Sequence, residues 1–267
     1  MSKEKVQGIL FTDLDGTFKR NSLFINILAG LVEQGLLPKL VMTEVERAKR
    51  DWQSLQGTFE EYDRLAIDFY EENIVGIPYR YYKTVVRRVV EAQQFNVYRF
   101  MKKMIQYKQL QGWKTYLVSA SPQPAVEHFA ELWGMTGGFG TPQSVDDKTG
   151  RISGIGEVVN ADAKKIIVER VLHDLDEQRI VVPEANIWAC GDTKGDIAML
   201  ESVTNPICVN PDDTLSTEAE HRGWRTVSER KDVITETKNG NYMKYAIDVS
   251  GKIKVITMKT TFKSVLD

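Results

Sequence analysis

Residues 8–17 read Gly8-Ile9-Leu10-Phe11-Thr12-Asp13-Leu14-Asp15-Gly16-Thr17. An apolar run leads directly into two aspartates spaced one residue apart, and a glycine and a threonine follow at once. A buried strand that ends this way makes a poor core and a good mount for two carboxylates. Residues i and i+2 of an extended strand point to the same side. Two carboxylates held so close do not both stay ionised without a cation or a shared proton. The pair therefore suits a hard divalent metal with oxygen ligands. The bland alternative is a solvated acidic turn after an edge strand, and the rest of the chain argues against it.

Outward from this stretch, residues 6–13 read as a first strand. Residues 20–95 then read as almost wholly helical, in four blocks of apolar residues at helical spacing. The blocks are Leu23, Ile27, Leu28 and Leu31; Val41, Val45 and Ala48 after Pro38; Phe59, Tyr62, Leu65, Ile67 and Phe69; and Tyr82, Val85, Val86, Val89 and Val90. From residue 97 the pattern alternates. Helices are expected at 97–111, 124–132, 161–172, 197–201 and 215–222, and strands at 115–118, 185–190 and 206–209. A short β excursion is expected at 137–154, where Asp146-Asp147 and Thr149-Gly150 signal turns. Such alternation predicts an α/β fold, a Rossmann-like, mainly parallel sheet with helices on both faces. Ligands of such sheets bind beyond the carboxyl ends of the strands. Residues 242–248 and 252–259 read as a C-terminal β-hairpin around Ser250-Gly251, added to the sheet edge or packed elsewhere.

The chain has 267 residues, 42% of them apolar, enough for a full-sized core. Its formal net charge of −2 gives no reason to expect nucleic acid or an acidic membrane as partner. No apolar run approaches the roughly 20 residues of a membrane span. The nearest candidate, residues 23–37, is broken by Asn26, Glu33 and Gln34. The N-terminal Met1-Ser2-Lys3-Glu4-Lys5 lacks the apolar segment of a secretory signal. Cys190 and Cys208 lie in separate apolar stretches and read as buried, reduced thiols, which fits a cytoplasmic protein. Oligomeric state is left open.

Four polar clusters punctuate the elements: Asp13/Asp15; Ser119-Ala120-Ser121 after Tyr116-Leu117-Val118; Lys164-Lys165 at a helix start; and Gly191-Asp192-Thr193-Lys194-Gly195-Asp196 after Ile187-Trp188-Ala189-Cys190. In order and type they match the four motifs of the haloacid dehalogenase superfamily, which the chain resembles from about residue 8 to about residue 225. The helical block follows the first motif directly. With Leu117-Val118-Ser119-Ala120-Ser121, the stretch Asn205-Pro206-Ile207-Cys208-Val209-Asn210-Pro211-Asp212 and the later Gly223-Trp224, this resembles the phosphoserine-phosphatase-like branch. The resemblance implies an α/β core over residues 1–19 and 97–230, a helical cap over 20–96, and a C-terminal extension over 231–267.

It also implies a Mg2+-dependent phosphomonoester hydrolase acting on a small phosphorylated metabolite. Asp13 would be the nucleophile, forming an aspartyl phosphate, and Asp15 the general acid and base. Asp13, the Asp15 backbone carbonyl and Asp192 would hold the metal, with Asp196 and Thr17 supporting them from behind. Ser119, Ala120 and Gly16 would meet the phosphoryl oxygens, and Lys164 would neutralise their charge. Each has a plainer reading: Ser119 as a helix cap before Pro122, Asp192 as a cap of the next helix, both lysines as solvated. Lys164 is preferred to Lys165 because Ile167, Val168 and Val171 lie on its side of the helix. His128, His173 and His221 read as structural or surface residues, Arg87 and Arg88 as solvated, and Trp188 and Trp224 as core.

One position departs from the pattern. Phosphoserine phosphatases carry a glutamate shortly after the first motif to grip the substrate's ammonium, and the same distance from Asp13 falls on Ser22. This weakens phosphoserine as substrate. The neighbouring Lys19 and Arg20, with the cap arginines, point to a more anionic or neutral leaving group. Two other functions stay open: a phosphotransferase on the same fold, and a non-catalytic module that binds a phosphate ligand.

Overall fold

A computed structural model describes residues 6–248, 250–259 and 266, without the side chains of residues 59, 60 and 259. The N-terminal residues 1–5, the Phe59 side chain and most of the chain beyond residue 259 lie outside the described residues. Strand β1 (Ile9–Thr12) is followed by helices α1 (Leu23–Glu33), α2 (Lys39–Gln53), α3 (Phe59–Ile74) and α4 (Tyr79–Gln93). Next come α5 (Arg99–Leu110), β2 (Lys114–Pro122), α6 (Gln123–Leu132), β3 (Gly137–Thr141), β4 (Gln143–Asp146), β5 (Arg151–Ile155) and α7 (Ala161–Glu177). The chain continues through β6 (Ile187–Gly191), α8 (Ile197–Glu201), β7 (Asn205–Val209), α9 (Asp213–Arg222), β8 (Arg225–Arg230), β9 (Val233–Lys238), β10 (Asn241–Ile247) and β11 (Ile253–Lys259).

Nine strands form one sheet in the order β11-β10-β9-β8-β7-β6-β1-β2-β3, and β4 pairs with β5 apart from it. Strands β3, β2, β1, β6, β7 and β8 run parallel. Side chains alternate between two buried layers, as a period of two requires. Leu10, Leu117, Cys190 and Ile207 pack with Phe100 and Met104 of α5 and Phe129 of α6. Ile9, Phe11, Tyr116, Val118 and Cys208 pack with Ile167 and Val168 of α7, Met199 of α8 and Leu215 of α9. Helices thus cover both faces. Strand order reverses at β1, and ligand crevices form at such switch points.

The four-helix segment differs from expectation in one face. Helix α3 buries Tyr62, Ala66, Tyr70 and Ile74, one i, i+4 ridge. Leu65 and Phe69 are half-buried, and Ile67 is 37% exposed. Ala66 lets the ridge pack closely, and the hydroxyls of Tyr70 and Tyr82 meet at 2.5 Å in the interior. The chain enters and leaves this segment side by side. Arg20 N–H donates to the Asn96 carbonyl (2.8 Å) and Tyr98 N–H to the Phe18 carbonyl (3.0 Å). These bonds occupy residues 96–98, so α5 begins at Arg99.

The C-terminal extension is larger than a hairpin. Strands β9, β10 and β11 continue the sheet antiparallel from β8. Two buried acids mask the pattern of β8 and β9 in the sequence. In β9 the inward positions are Ile234 and Glu236, and Glu236 accepts from Arg225 (3.0 Å) and the Tyr245 hydroxyl (2.7 Å). In β8 they are Val227 and Glu229; Glu229 takes the N–H groups of Arg99 (3.2 Å) and Phe100 (2.9 Å) and pairs with Arg20. Among the described residues, no helix is long and apolar enough to cross a membrane.

Candidate active site

Parallel register brings the motifs together. Thr12 of β1 lies opposite Leu117 of β2 and Cys190 of β6. The residues just beyond, Asp13, Ser119 and Asp192, therefore emerge at one end of the sheet, across the switch point. Asp13 N–H donates to the Cys190 carbonyl at 2.9 Å, fixing the turn that presents its side chain. Helix α7, capped by Asn160, delivers Lys164 to the same place.

Lys164 is buried, and its ammonium donates to Asp13 Oδ1 at 2.6 Å and Asp196 Oδ1 at 2.7 Å. Lys165 points away and lies 3.9 Å from Glu169, half-exposed. The other Asp196 oxygen accepts the N–H groups of Asp192 and Thr193, each at 3.0 Å. Asp196 therefore ties the lysine to the loop that carries Asp192. Thr17 donates its hydroxyl to Asp192 Oδ1 at 2.7 Å. Asp15 accepts from the Ser121 hydroxyl at 2.6 Å and from the Leu23 N–H at the start of α1.

Gly16 plays a part other than the one expected of it. Its N–H donates to the Lys19 carbonyl at 2.9 Å, within its own loop. It adopts φ +87°, and a Cβ there would lie 1.9 Å from Asp192 Oδ2. The residue thus gives Asp192 its room. Ser119 is buried and accepts the Ser121 N–H at 3.1 Å, an acceptor role that leaves its own proton available. Ala120 is exposed and lines the cavity above.

The electrostatics are unbalanced. Asp13, Asp15, Asp192 and Asp196 face two ammonium groups, Lys19 and Lys164. Burial pushes the Asp13 carboxyl up to about 7, against the pull of Lys164. Burial raises Asp192 well above the carboxylate range, with Asp13 and Asp196 adding repulsion. It raises Asp15 as well, opposed by the bonds from Ser121 and Leu23. Lys164 is shifted upward by Asp13 and Asp196, which outweigh its own burial. Carboxylate oxygens of Asp13, Asp192 and Asp196 all lie within 4.8 Å of one another. Since both Asp196 oxygens are committed, Asp13 and Asp192 are the carboxylates left to hold an ion. An all-oxygen set with excess negative charge fits a hard divalent cation that keeps several waters.

The basic residues near Ser22 do not face a substrate. Lys19 is fully buried and donates to the carbonyls of Arg20 (3.0 Å) and Asn21 (3.1 Å) and to Asn26 Oδ1 (3.2 Å). Arg20 is held by Glu229 and the Val97 carbonyl and stacks on Tyr98. Arg87 pairs with Glu91 on the surface. The charges behind the expected anionic or neutral leaving group are therefore spoken for. Ser22 caps α1, accepting the Ile25 N–H at 3.3 Å. His128 bridges Glu91 and Glu131 (3.2 Å each), and exposed His173 lies 4.0 Å from Asp174 and Glu177 on α7.

A cavity of about 500 Å3 opens above Asp13, Asp15, Ser119, Lys164 and Asp192. Its far wall comes from α1, α2 and α3 and includes Phe24, Trp52, Tyr62 and Tyr70. The sequence assigns no role to this wall or to Ser121. Ser121 was legible as the i+2 neighbour of Ser119 on one strand face; the wall needed the packing of three helices.

Comparison with known proteins agrees with the architecture. A family model described as haloacid dehalogenase-like hydrolase matches residues 10–201. The chain is 31% identical over 117 residues to phosphoserine phosphatase SerB1 of Mycobacterium tuberculosis, covering 42% of this chain and 35% of that protein. It is 27% identical over 122 residues to histidinol-phosphatase of Neisseria meningitidis serogroup C, covering 45% of this chain and 54% of that protein. The chain thus spans well under two thirds of either relative. In fold it is similar to a substrate-bound phosphoserine phosphatase, with a TM-score of 0.55 at 19% identity over 80% of this chain and 91% of that one. The family model runs from β1 through α8 and takes in Asp13, Lys164, Asp192 and Asp196; the chain belongs to the haloacid dehalogenase-like hydrolase family.

Proposed function

We propose that the protein is a Mg2+-dependent phosphomonoester hydrolase that acts on a small phosphorylated metabolite through an aspartyl phosphate on Asp13. One observation carries this reading: the Lys164 ammonium bridges Asp13 and Asp196 beside Asp192, at the floor of a cavity that also exposes Asp15. Lys164 keeps Asp13 oriented and favours its ionised, nucleophilic form. The Asp13 oxygen attacks phosphorus as the bond to the leaving oxygen breaks. Asp15, held by Ser121 and biased toward its protonated form by burial, hands its proton to that oxygen. Asp15 then takes a proton from the water that attacks phosphorus and releases phosphate and a regenerated Asp13. Ser119 and Lys164 hold the phosphoryl oxygens. Asp13, Asp192 and the Asp15 carbonyl would hold Mg2+, which when bound would offset the repulsion between an anionic nucleophile and an anionic phosphate.

In this reading residues 20–96 are a cap on a core formed by residues 1–19 and 97–230, with 231–267 extending the sheet. The paired crossings at residues 18–20 and 96–98 are its hinge, and closure excludes water from the first half-reaction. Cys190 and Cys208 are free, buried thiols, which supports a reducing, cytoplasmic setting.

The test is phosphate release from a panel of phosphorylated metabolites, with Mg2+ or with EDTA, for the wild type and Asp13→Asn. Metal-dependent release that the variant loses is the expected result. Release unaffected by EDTA or by the substitution refutes the proposal. Transfer to an alcohol acceptor in place of phosphate release would assign the site to a phosphotransferase.

A further inference from the structure

The wall opposite the catalytic floor carries a charge with no partner. Asp63 of α3 lines the cavity and is half-buried. The acids of the catalytic floor each have a bond: Asp13 and Asp196 to Lys164, Asp15 to Ser121, Asp192 to Thr17. Asp63 has none among the described residues. Burial and the Asp15 charge together push its carboxyl above the ordinary value, so it lies within electrostatic reach of the group proposed to protonate the leaving oxygen. A part-buried carboxylate facing another carboxylate is unfavourable unless something positive joins it.

Around it the wall is aromatic. Trp52 and Tyr62 stack with centroids 6.0 Å apart and planes 3° from parallel. Phe24 and Tyr70 meet edge to face at 4.9 Å. All four line the cavity. Aromatic faces attract organic cations, and a carboxylate among them adds a direct charge contact. Lys49 and Glu71, the other charged side chains that α2 and α3 contribute, are exposed and of opposite sign. They leave Asp63 to set the field of the inner wall.

We propose that Asp63 and the aromatic wall select a phosphomonoester whose leaving group carries a positively charged nitrogen, the anion coming from α3 rather than from the position of Ser22. The inference rests on the hydrolase reading and adds the class of leaving group to it. The phosphate sits over Asp13 and Lys164, and the alkyl ammonium reaches past Asp15 to Asp63. Ser22 serves as the helix cap that a glutamate there would replace.

The experiment compares pairs of esters that differ by one charge: phosphoethanolamine with propyl phosphate, and phosphocholine with 3,3-dimethylbutyl phosphate. Within each protein the readout is the ratio of kcat/KM for the charged ester to that for its neutral isostere. The wild type should favour at least one charged ester by about 10- to 100-fold, mostly through KM. Asp63→Asn should bring that ratio to within about threefold of unity, and Asp63→Glu should restore part of it. Asp63 lies on a helix surface with no hydrogen bond to lose, so the variants are expected to fold, and thermal melts check this. A wild-type ratio near one, or a ratio that Asp63→Asn leaves intact, overturns the inference while hydrolysis of the neutral esters upholds the phosphatase. If no ester is turned over, the hydrolase reading fails. The same ratios, taken from calorimetric affinities for the four esters, then decide the cation site by itself.

Discussion

Gly16→Ala tests the geometry of the site more sharply than removing a catalytic group. The alanine Cβ would lie 1.9 Å from Asp192 Oδ2 and 2.7 Å from its Cγ. Carbon and oxygen need roughly 3 Å or more, so the two groups must separate by at least about 1 Å. Asp192 then leaves the position that Thr17 fixes at 2.7 Å, or the Asp15-Gly16 loop moves and takes Asp15 with it. A displacement of about 1 Å in a positioned group lowers turnover by about 100-fold. The substitution also forces an L-residue to φ +87°, which costs about 1–2 kcal/mol on its own. Gly76→Ala separates the two effects, because Gly76 has the same φ of +87° and nothing within 4 Å of its added Cβ. Both variants should lose a few degrees of Tm. Gly16→Ala alone should lose about 100-fold in kcat/KM on a phosphomonoester and at least about 10-fold in calorimetric Mg2+ affinity. A Gly16→Ala enzyme with wild-type turnover and Mg2+ affinity, beside a destabilised Gly76→Ala, would show that Asp192 does not occupy this place in the working enzyme.

In the metal-free protein the Asp13 carboxyl is raised from 3.8 to about 7, and Asp15 and Asp192 are raised in the same sense. The folded state therefore holds more protons in that window, and the site's contribution to stability falls as pH rises from about 4 to about 7. Melts in EDTA should show that slope reduced in Asp13→Asn; an equal slope in both proteins counts against it. Mg2+ at about 100 times its Kd should add about 2.7 kcal/mol near neutral pH, and less as acid protonates its ligands. Ser121→Ala removes a 2.6 Å bond that favours ionised Asp15, so the pH–rate limb that reports this acid should move upward; an unmoved limb removes Ser121 from the proton transfer. Glu229→Ala leaves Arg20 and the first N–H groups of α5 without their acceptor, and urea denaturation should register a loss of about 3–5 kcal/mol. A loss under about 1 kcal/mol would mean that this carboxylate does not hold the crossings together.

The alternation of helix and strand after residue 97 was legible because each element buries one face, and the period of its apolar residues records that face. The Asp13/Asp15 pair was legible because two carboxylates directly after an apolar strand have no structural use. Ser119, Lys164, Asp192 and Asp196 were legible through the resemblance of their clusters, in order and type, to the haloacid dehalogenase motifs. Strands β8 and β9 were hidden because Glu229 and Glu236 occupy inward positions, and their partners, Arg20 and Arg225, lie 209 and 11 residues away. Separations like the first leave no periodic trace. The buried face of α3 was misread by about one ridge, because Ala66 counts as a small residue in sequence and as a contact in packing. The aromatic wall of the cavity was decided by tertiary structure alone. Lys19 and Arg20 read as a basic patch in sequence, whereas in the fold backbone carbonyls, Asn26 and Glu229 hold them, and Asp63 lines a cavity whose aromatic rings come from α1, α2 and α3. Local pattern reports which face of an element is buried, whereas the charge that reaches a substrate is what remains after distant partners have been satisfied, and only the folded chain determines those partners.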